Sequence, residues 1–308
     1  MEINNVPNIR ETTIPLKILQ EFGRVQRDST RTMEFSTKAT HEIASIKVLL
    51  LVGGKGTRLA SVSNGVSKGL ITIDPDGTVS GVEHMSRILS EIGLTDVTLL
   101  AKHHAEQYKE FAKEKNYSIL HQGKKCLGTG KALEEAIAKL GLSSQYLVIA
   151  ADTYLSARDV ARLVDAHKTD TVTWGVSLLN PDLDMGDYHG LVIDSQNQVI
   201  GDVKQFWWQD RSITGMRLVT KGAVQVIDPR LYIQSAKLFK RLARDTTSVD
   251  LYWDIMPLME EQNRRRIARS RSSVINAVVF EDDLIDYGTP ERLAITRKRY
   301  NLASTKRA

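Results

Sequence analysis

The sequence is poor in cysteine and in long apolar runs. Cys126 is the single cysteine among 308 residues, which excludes an intrachain disulfide and a cysteine zinc site. No apolar run approaches the ~20 residues that a transmembrane helix needs. The first residues, MEINNVPNIRETT, lack the apolar core of a signal peptide. These absences predict a soluble, cytoplasmic protein without a membrane partner.

Neither sign of charge dominates the composition. Lysine and arginine number 42 against 37 acidic residues, and the net charge of +5 suits small anionic substrates as well as nucleic acid. The basic run from Arg264 to Arg271 could be a solvated face, a contact between copies of the chain or a nucleic-acid patch. Because no aromatic residues interleave it and no nucleic-acid motif is recognised, we expect no nucleic-acid partner. Whether the chain forms a homo-oligomer is left open by the sequence.

The order of strand and helix patterns indicates the fold class. Strands are predicted at 48–52, 97–100, 117–121 and 146–151, and helices at 82–92, 105–115, 131–140 and 157–167. This alternation predicts an α/β fold with a doubly wound, mostly parallel sheet. Ligands bind such sheets beyond the carboxyl ends of the strands. We expect an N-terminal extension over 1–46, one domain over 47–300 and a basic tail over 301–308.

The stretch after the first predicted strand is the strongest functional signal. Gly53, Gly54 and Gly56 let the backbone turn sharply and let its N–H groups approach an anion closely. Arg58 adds a planar fork of donors for phosphate, and Lys68 adds a point charge. The spacing matches neither a Walker A loop nor a Rossmann fingerprint. A glycine-rich turn without a ligand is the alternative, but the two cations favour a phosphate cradle.

Two further stretches place polar residues where predicted strands end. Thr129, in the run from His121 to Gly130, could cap the following helix and turn the helix N-terminus toward a ligand. Asp152 follows the apolar pattern at 146–151, at the edge where the ligand site of a parallel sheet forms. A capped turn and an N-cap of the next helix are the purely structural alternatives for these two residues.

Two patterns lie in the second half of the chain. Short strand patterns at 188–194 and 199–204 flank a polar turn and predict a small β subregion. Thr289, with Pro290 at the first helical position, predicts the start of a helix. The start of a helix explains both residues without giving either of them a catalytic role.

Taken in order, these stretches resemble the sugar-phosphate nucleotidyltransferases, or NDP-sugar pyrophosphorylases. GGKGTRL…SKGL is similar to the family's GGxGTRL…PKPL, with Ser67 and Gly69 in place of the two prolines. LGTG is similar to the family's LGTGGA, YHGLV…VKQ to its YGVV…EKP, and LIDYGTPE to its W-x-D-I-G-T-P-E. A chance match to one motif is easy, but a match to all of them in family order is not.

The resemblance implies a Rossmann-like nucleotidyltransferase fold and a set of charged site residues. Arg58 and Lys68 match the family's catalytic cations, which hold the triphosphate. Asp152 and Asp286 match its two metal ligands, which implies Mg²⁺ or Mn²⁺ as the cofactor. The implied partners are a nucleoside triphosphate and a sugar 1-phosphate.

The resemblance also implies which residues contact each substrate. Gly190 and Lys204 match the positions near the sugar and its phosphate, in the small sugar-binding β subregion. The implied nucleotide-binding residues are Val52, Gly53, Gly54, Gly56, Thr57, Gln122, Gly128 and Thr129.

The implied reaction is nucleotidyl transfer to a sugar or cyclitol 1-phosphate, with release of pyrophosphate. GTP is the favoured donor, because the LGTG form is more similar to the mannose- and heptose-1-phosphate guanylyltransferase-like members. A catalytically inactive homologue that binds nucleotide sugars and regulates a partner is the alternative.

Overall fold

The computed structural model describes residues 46–123, 127–178, 190–202, 217–243, 247–269, 271–281 and 285–305. The expected N-terminal extension up to residue 45, Lys204 and the end of the expected basic tail lie outside this set. Among the helices of the described residues, none has the length and apolar character needed to cross a membrane.

Strands and helices alternate along the described chain. The strands are β1 (Ile46–Leu51), β2 (Val97–Ala101), β3 (Ser118–His121), β4 (Gln145–Ala150), β5 (Thr153–Tyr154), β6 (Val172–Leu178), β7 (Gly190–Ile193), β8 (Val199–Asp202), β9 (Arg217–Ile227), β10 (Ile275–Val279) and β11 (Ile285–Asp286). The α-helices are α1 (Ala60–Ser63), α2 (Gly81–Glu91), α3 (Lys109–Lys115), α4 (Thr129–Leu140), α5 (Ala157–Ala166), α6 (Pro229–Leu242), α7 (Met256–Ala268) and α8 (Pro290–Thr305). Between them lie 3₁₀ turns at Thr57–Leu59, Lys68–Leu70 and Ala105–Tyr108, and a π-helical turn at Leu251–Ile255.

The central sheet is mostly parallel, which confirms the predicted fold class. Its strand order is β3-β2-β1-β4-β9-β6-β10, and β1 pairs in parallel with both β2 and β4. β9 runs antiparallel to β4 and β6. The β7–β8 hairpin pairs with the first part of β9 and lies where the sequence predicts the small β subregion. A separate antiparallel ribbon joins β5 to β11.

Some elements differ from the sequence-based expectation. β6 and β10 have no counterpart among the predicted strands. The helix predicted at 105–115 divides into a 3₁₀ turn and α3, and the backbone enters it through His104 at φ 57°. β1 begins two residues before the predicted strand, because parallel pairing of Ile46 with Gln145 extends it.

Both faces of the sheet are buried, and β1 shows what this requires of the sequence. Val48 and Leu50 belong to the core that packs α2 and α5, whereas Leu49 belongs to the core that packs α4 and α6. All three side chains are fully buried. A parallel strand covered on both faces needs a continuous apolar run rather than an alternating one. The glycine loop therefore leaves the sheet from a rigid central strand.

A buried polar network lies at the amino end of β4, away from the carboxyl edge of the sheet. His167 Nε2 donates to Gln145 Oε1 (3.1 Å), because the Gln145 amide nitrogen donates to Asp228 (3.2 Å). Because the lowered pKa of His167 keeps its imidazole neutral at pH 7, Nδ1 accepts from the Thr173 hydroxyl (3.0 Å). Burial lowers the pKa of His167 from its ordinary 6.5 to about 4, although the charge of Asp228 opposes this.

The lowered pKa of His167 predicts a loss of stability in acid. The unfolded chain binds a proton at this residue below pH 6.5 and the folded chain only below about pH 4, so the free energy of unfolding falls as the pH falls through that window. Between pH 7.5 and 5.0 we expect the wild type to lose about 2 kcal/mol that His167→Gln retains. Urea unfolding at both pH values measures the difference, with exposed His121→Gln as the control. Equal losses in wild type and His167→Gln would contradict this account.

Candidate functional site

The glycine loop leaves β1 at the carboxyl edge of the sheet, where the sequence predicts it. Val52 is buried and donates its N–H to Leu100 O (3.1 Å), which ties the start of the loop to β2. Gly56 has φ 67°, a left-handed conformation that favours glycine. Thr57 then begins a 3₁₀ turn that contains Arg58. The arginine is thus presented directly after the sharpest bend of the loop.

Gln122 covers one side of this loop. A Cβ added at Gly53 would lie 3.2 Å from Gln122 Oε1 and 3.2 Å from the backbone nitrogen of Lys102. A side chain at position 53 would therefore crowd the ends of β2 and β3, which approach closely here. A Cβ added at Gly54 would meet nothing within 4 Å, so this position borders open space. The structure thus brings together Gly53, Gly54 and Gln122, three of the predicted nucleotide-binding residues.

Lys68 is held beside the loop by a turn that needs no proline. The Ser67 N–H donates to Gln107 Oε1, and its hydroxyl bonds the Tyr108 hydroxyl, both at 2.7 Å. A Cβ added at Gly69 would lie only 2.9 Å from the same Tyr108 hydroxyl. The two positions at which the sequence departs from PKPL are therefore fitted to Tyr108, one by a hydrogen bond and one by close approach.

Four charged residues predicted from the sequence converge on Gly288. Lys68 Nζ forms an ion pair with Asp152 Oδ2. A Cβ added at Gly288 would lie 2.5 Å from Asp286 Oδ1, 3.1 Å from Lys68 Nζ and 3.5 Å from Arg58 Nη2. Two cations and two carboxylates therefore surround one small volume, and a side chain at position 288 would intrude on it.

The ribbon of β5 and β11 brings the two aspartates together. β5 begins directly after Asp152, and β11 ends at Asp286. Tyr287 joins the two segments, because its N–H donates to Asp152 O (2.9 Å) and its hydroxyl to Ala151 O (2.7 Å). A Cβ added at Gly81 of α2 would overlap the Tyr287 hydroxyl. Glycine at that helix start therefore makes room for the phenol that fixes the carboxylates.

Asp286 occupies an unfavourable position for a carboxylate. Burial raises its pKa, and the negative charge of Asp152 raises it further. Lys68, Arg292 and the Gly288 N–H act in the opposite direction. Arg292 Nη1 lies 3.2 Å from Asp286 Oδ2, and Gly288 N donates to Oδ1 at 2.7 Å. The environment as a whole favours an additional positive charge next to the pair of aspartates.

The donor set at this point fits an ion of the magnesium type. Mg²⁺ prefers oxygen ligands and commonly takes one or two protein carboxylates, with water and phosphate completing its shell. Asp152 and Asp286 offer two carboxylates whose repulsion a divalent cation would relieve. Within the described ranges, no group of three or more His, Cys, Asp or Glu side chains could hold a metal. A metal at this pair would therefore depend on substrate oxygens.

The prediction that Thr129 caps the following helix is wrong. α4 begins at Thr129, its N-cap residue is Gly128, and no side chain caps it. The Thr129 hydroxyl instead donates to Asp250 Oδ2 (2.9 Å) and accepts from Leu251 N (2.9 Å). Since its one proton is used in this way, the hydroxyl retains only a lone pair for a ligand.

The expectation that the N-terminus of α4 faces a ligand is also wrong for two of its N–H groups. Gly130 N and Lys131 N both donate to Val249 O, at 2.9 and 3.3 Å. Gly128 has φ 87°, and a Cβ there would overlap Val249 O. Close packing of the segment around Val249 explains both glycines of the LGTG motif. Nucleotide contact by Gly128 and Thr129 stays a prediction.

Of the two residues predicted to contact the sugar phosphate, the structure describes one. Gly190 is buried at the first position of β7, opposite Thr220 of β9. Lys204 lies outside the described residues. The hairpin that would hold a sugar is therefore present, and the contacts of Gly190 and Lys204 with a sugar phosphate stay predictions.

Three residues that shape the site are not among those predicted from the sequence: Tyr108, Tyr287 and Arg292. Arg292 could have been found, because it lies in the first turn of α8, where its N–H donates to the Thr289 hydroxyl (3.4 Å). The helix dipole disfavours a cation at that end, so an arginine there indicates an anionic partner, which is Asp286. The two tyrosines carry no comparable signal, because their contacts are with distant backbone and side chains.

The chain matches a known domain family in sequence over part of its length and solved structures in fold over most of it. Residues 48–181 match the family model described as the MobA-like NTP transferase domain. No curated protein matches the sequence.

Solved structures with low sequence identity share the fold. HddC from Yersinia pseudotuberculosis, in complex with GMP-PN, is 19% identical with a TM-score of 0.55, over 82% of this chain and 99% of that one. The inositol-1-phosphate CTP transferase from T. maritima is 15% identical with a TM-score of 0.59, over 82% and 95%. A UDP-glucose pyrophosphorylase in complex with UDP-glucose is 14% identical with a TM-score of 0.59, over 83% and 98%.

The segment matched by the family model contains much of the candidate site. It includes most of β1, the glycine loop, Lys68 and Asp152, whereas Asp286 lies beyond it. The resemblance noted in the sequence is thereby confirmed: residues 48–181 match the MobA-like NTP transferase domain, and the chain shares its fold with these solved structures.

Proposed function

We propose that the chain transfers a nucleotidyl group from a nucleoside triphosphate to a sugar or cyclitol 1-phosphate and releases pyrophosphate. The observation that carries the proposal is the convergence of Arg58, Lys68, Asp152 and Asp286 around Gly288. This convergence lies beyond the carboxyl ends of β1 and β4, where α/β sheets bind their ligands.

The charges suit a reaction between two anions. A phosphate oxygen of the acceptor attacks the α-phosphorus of the triphosphate, the bond to the bridging oxygen of the β-phosphate breaks, and pyrophosphate leaves. Because the attacking oxygen is already negatively charged, no general base is needed. Positioning and electrostatic stabilisation then supply the catalysis. Arg58 and Lys68 would neutralise the triphosphate and the leaving pyrophosphate.

Asp152 and Asp286 would hold Mg²⁺ or Mn²⁺ in this proposal. Such an ion, when bound, polarises phosphate oxygens and acts as a template for the two substrates. Arg292 would orient the Asp286 carboxylate through its 3.2 Å contact. The raised pKa of Asp286 supports a cation at this position, because two neighbouring carboxylates repel one another.

The nucleotide would bind beside Gly53 and Gln122, next to the open space at Gly54. The Gln122 carboxamide can donate and accept hydrogen bonds, as recognition of a base edge requires. GTP is favoured because of the LGTG resemblance, and HddC, solved in complex with GMP-PN, is consistent with that choice. The cyclitol option draws on the likeness to an inositol-1-phosphate CTP transferase. Gly190 and Lys204 would contact the sugar phosphate.

A catalytically inactive homologue that binds nucleotide sugars is less well supported. Binding alone does not require two carboxylates to share one buried position, since their repulsion raises the pKa of Asp286 and costs free energy. The full set of charged residues at one point is better explained by chemistry on phosphates.

A matrix of substrates tests the proposed function. GTP, CTP, UTP, dTTP and ATP are each combined with mannose 1-phosphate, glucose 1-phosphate and myo-inositol 1-phosphate in the presence of Mg²⁺. We expect pyrophosphate release that needs both substrates, with GTP as the best donor. Nucleotide binding without pyrophosphate release in every combination would favour the inactive homologue. Release with another nucleotide only would reject the GTP assignment and keep the reaction.

Arg58→Ala tests the glycine loop. We expect kcat to fall by on the order of 10²-fold or more, because a charge partner of the transition state is lost. Arg87→Ala is the matched control, since Arg87 is exposed on α2 and pairs with Glu83. Thermal unfolding should show that both variants fold. Near-normal turnover of Arg58→Ala would remove the loop from the mechanism.

Asp152→Asn and Asp286→Asn test the carboxylate pair. Each change should lower kcat severely and weaken binding of Mn²⁺ in the presence of nucleotide, as followed by electron paramagnetic resonance. The double variant should be scarcely worse than either single one, because both residues serve one site. Asp76→Asn, at an exposed turn, is the control. Full activity in excess chelator, or additive losses in the double variant, would reject a shared metal site.

A further inference from the structure

Tyr252 has a buried hydroxyl without a hydrogen-bond partner among the described residues. Its ring packs against the core on the α4 and α6 face of the sheet. A buried hydroxyl that makes no hydrogen bond destabilises a fold, so natural proteins seldom keep one without a use. Phenylalanine would fill the same volume without this penalty. The presence of tyrosine at this position therefore calls for a functional explanation.

The electrostatic surroundings of Tyr252 relate it to the proposed site. Burial raises its pKa well above the ordinary value, and the charges of Asp250, Asp152 and Asp286 add to the effect. The phenol therefore lies within the field of the aspartate pair and stays protonated at neutral pH. A protonated phenol is a hydrogen-bond donor, and it donates to none of the described oxygens.

The backbone that carries Tyr252 is held firmly. Asp250 Oδ1 accepts from the N–H groups of Tyr252 (2.8 Å) and Trp253 (3.0 Å), while its Oδ2 accepts from the Thr129 hydroxyl (2.9 Å). Asp254 Oδ2 in turn accepts from Asp250 N (2.7 Å). These bonds enclose the π-helical turn Leu251–Ile255. Such turns are rare in proteins as a whole, but many of those known lie at functional sites. The phenol is thus pre-positioned.

The turn that carries Tyr252 is connected to the β7–β8 hairpin through the helix that follows it. It continues directly into α7, and Asn263 of that helix donates to Val199 O of β8 (2.9 Å). Gly53 and Gln122, by contrast, lie at the ends of β1 and β3. The helix that follows Tyr252 is therefore fixed to the hairpin that the proposed function assigns to the acceptor.

We propose that the Tyr252 hydroxyl donates a hydrogen bond to an oxygen of the phosphorylated acceptor bound beside Asp152 and Asp286. This inference rests on the proposed function, because it assigns a residue to the acceptor in the same reaction. The acceptor oxygen would supply the partner that the phenol lacks within the described chain. Tyr252 would then be a substrate-contacting residue that helps to distinguish acceptors.

Tyr252→Phe removes only the hydroxyl and tests the proposal by binding. Mannose 1-phosphate, glucose 1-phosphate and myo-inositol 1-phosphate are titrated by calorimetry with Mg²⁺ and a non-hydrolysable GTP analogue. Wherever the wild type binds, Tyr252→Phe should bind the acceptor roughly tenfold or more weakly, as expected for a lost hydrogen bond to a charged group. Its Kd for the GTP analogue should not change, and its melting temperature should be equal or higher.

Tyr117→Phe is the matched control, because its hydroxyl bonds Ser86 Oγ (2.9 Å) away from the site. It should lower the melting temperature and leave acceptor binding unchanged. Equal acceptor binding by the wild type and Tyr252→Phe would overturn this inference and leave the proposed function standing. A lowered melting temperature with both ligands weakened alike would assign Tyr252 a structural role instead. If the wild type binds no acceptor phosphate, the proposed function fails and the inference fails with it.

Discussion

The repulsion between two neighbouring carboxylates is the constraint on which the site depends. Asp152 and Asp286 come from distant parts of the chain, and the ribbon of β5 and β11 holds them side by side against their mutual charge. Lys68 and Arg292 compensate from two separate elements, so neither aspartate is left as an unpaired buried charge. The C-terminal helix α8 contributes to this compensation of charge. α8 carries Arg292 and is anchored through Arg297, which donates to Thr72 O (3.0 Å).

In the proposed reaction, the strand order would place the two substrates on either side of that pair. β1, β2 and β3 end at the glycine loop, Lys102 and Gln122, and these ends form the side assigned to the nucleotide. β9, inserted antiparallel next to β4, carries the β7–β8 hairpin on the other side. An all-parallel sheet would have no such hairpin, because a parallel neighbour requires a long crossover connection. Among the described strands, antiparallel β9 in the middle of the sheet thus carries the hairpin that the proposal assigns to the acceptor.

The sequence predicted the parts of the fold that depend on local pattern. The continuous apolar run of β1 and the helical spacing of α2 appear within two residues of their expected bounds. Arg58, Lys68, Asp152 and Asp286 were each predicted from a motif, and the structure brings them together.

The sequence-based predictions that failed did so because of contacts between distant parts of the chain. Thr129 is a good N-cap by type, but Asp250 takes its hydroxyl from across the fold. β6 contains Gly175, which weakens a strand pattern, although Phe280 packs where its side chain would be.

The departures from PKPL show that the loop carrying Lys68 can be held without prolines. A proline restricts the unfolded chain as much as it shapes the folded loop, so its effect needs few contacts. Ser67 and Gly69 provide no such restriction, and the turn that carries Lys68 depends instead on contacts made after folding. Burial raises the pKa of Tyr108 to about 12, so its hydroxyl remains protonated and can share a hydrogen bond with Ser67 at neutral pH. The position of Lys68, which the proposal makes catalytic, thus depends on contacts with one buried phenol rather than on the stiffness of prolines. A tyrosine that touches no substrate in this account then becomes as necessary to the site as the glycines of the loop.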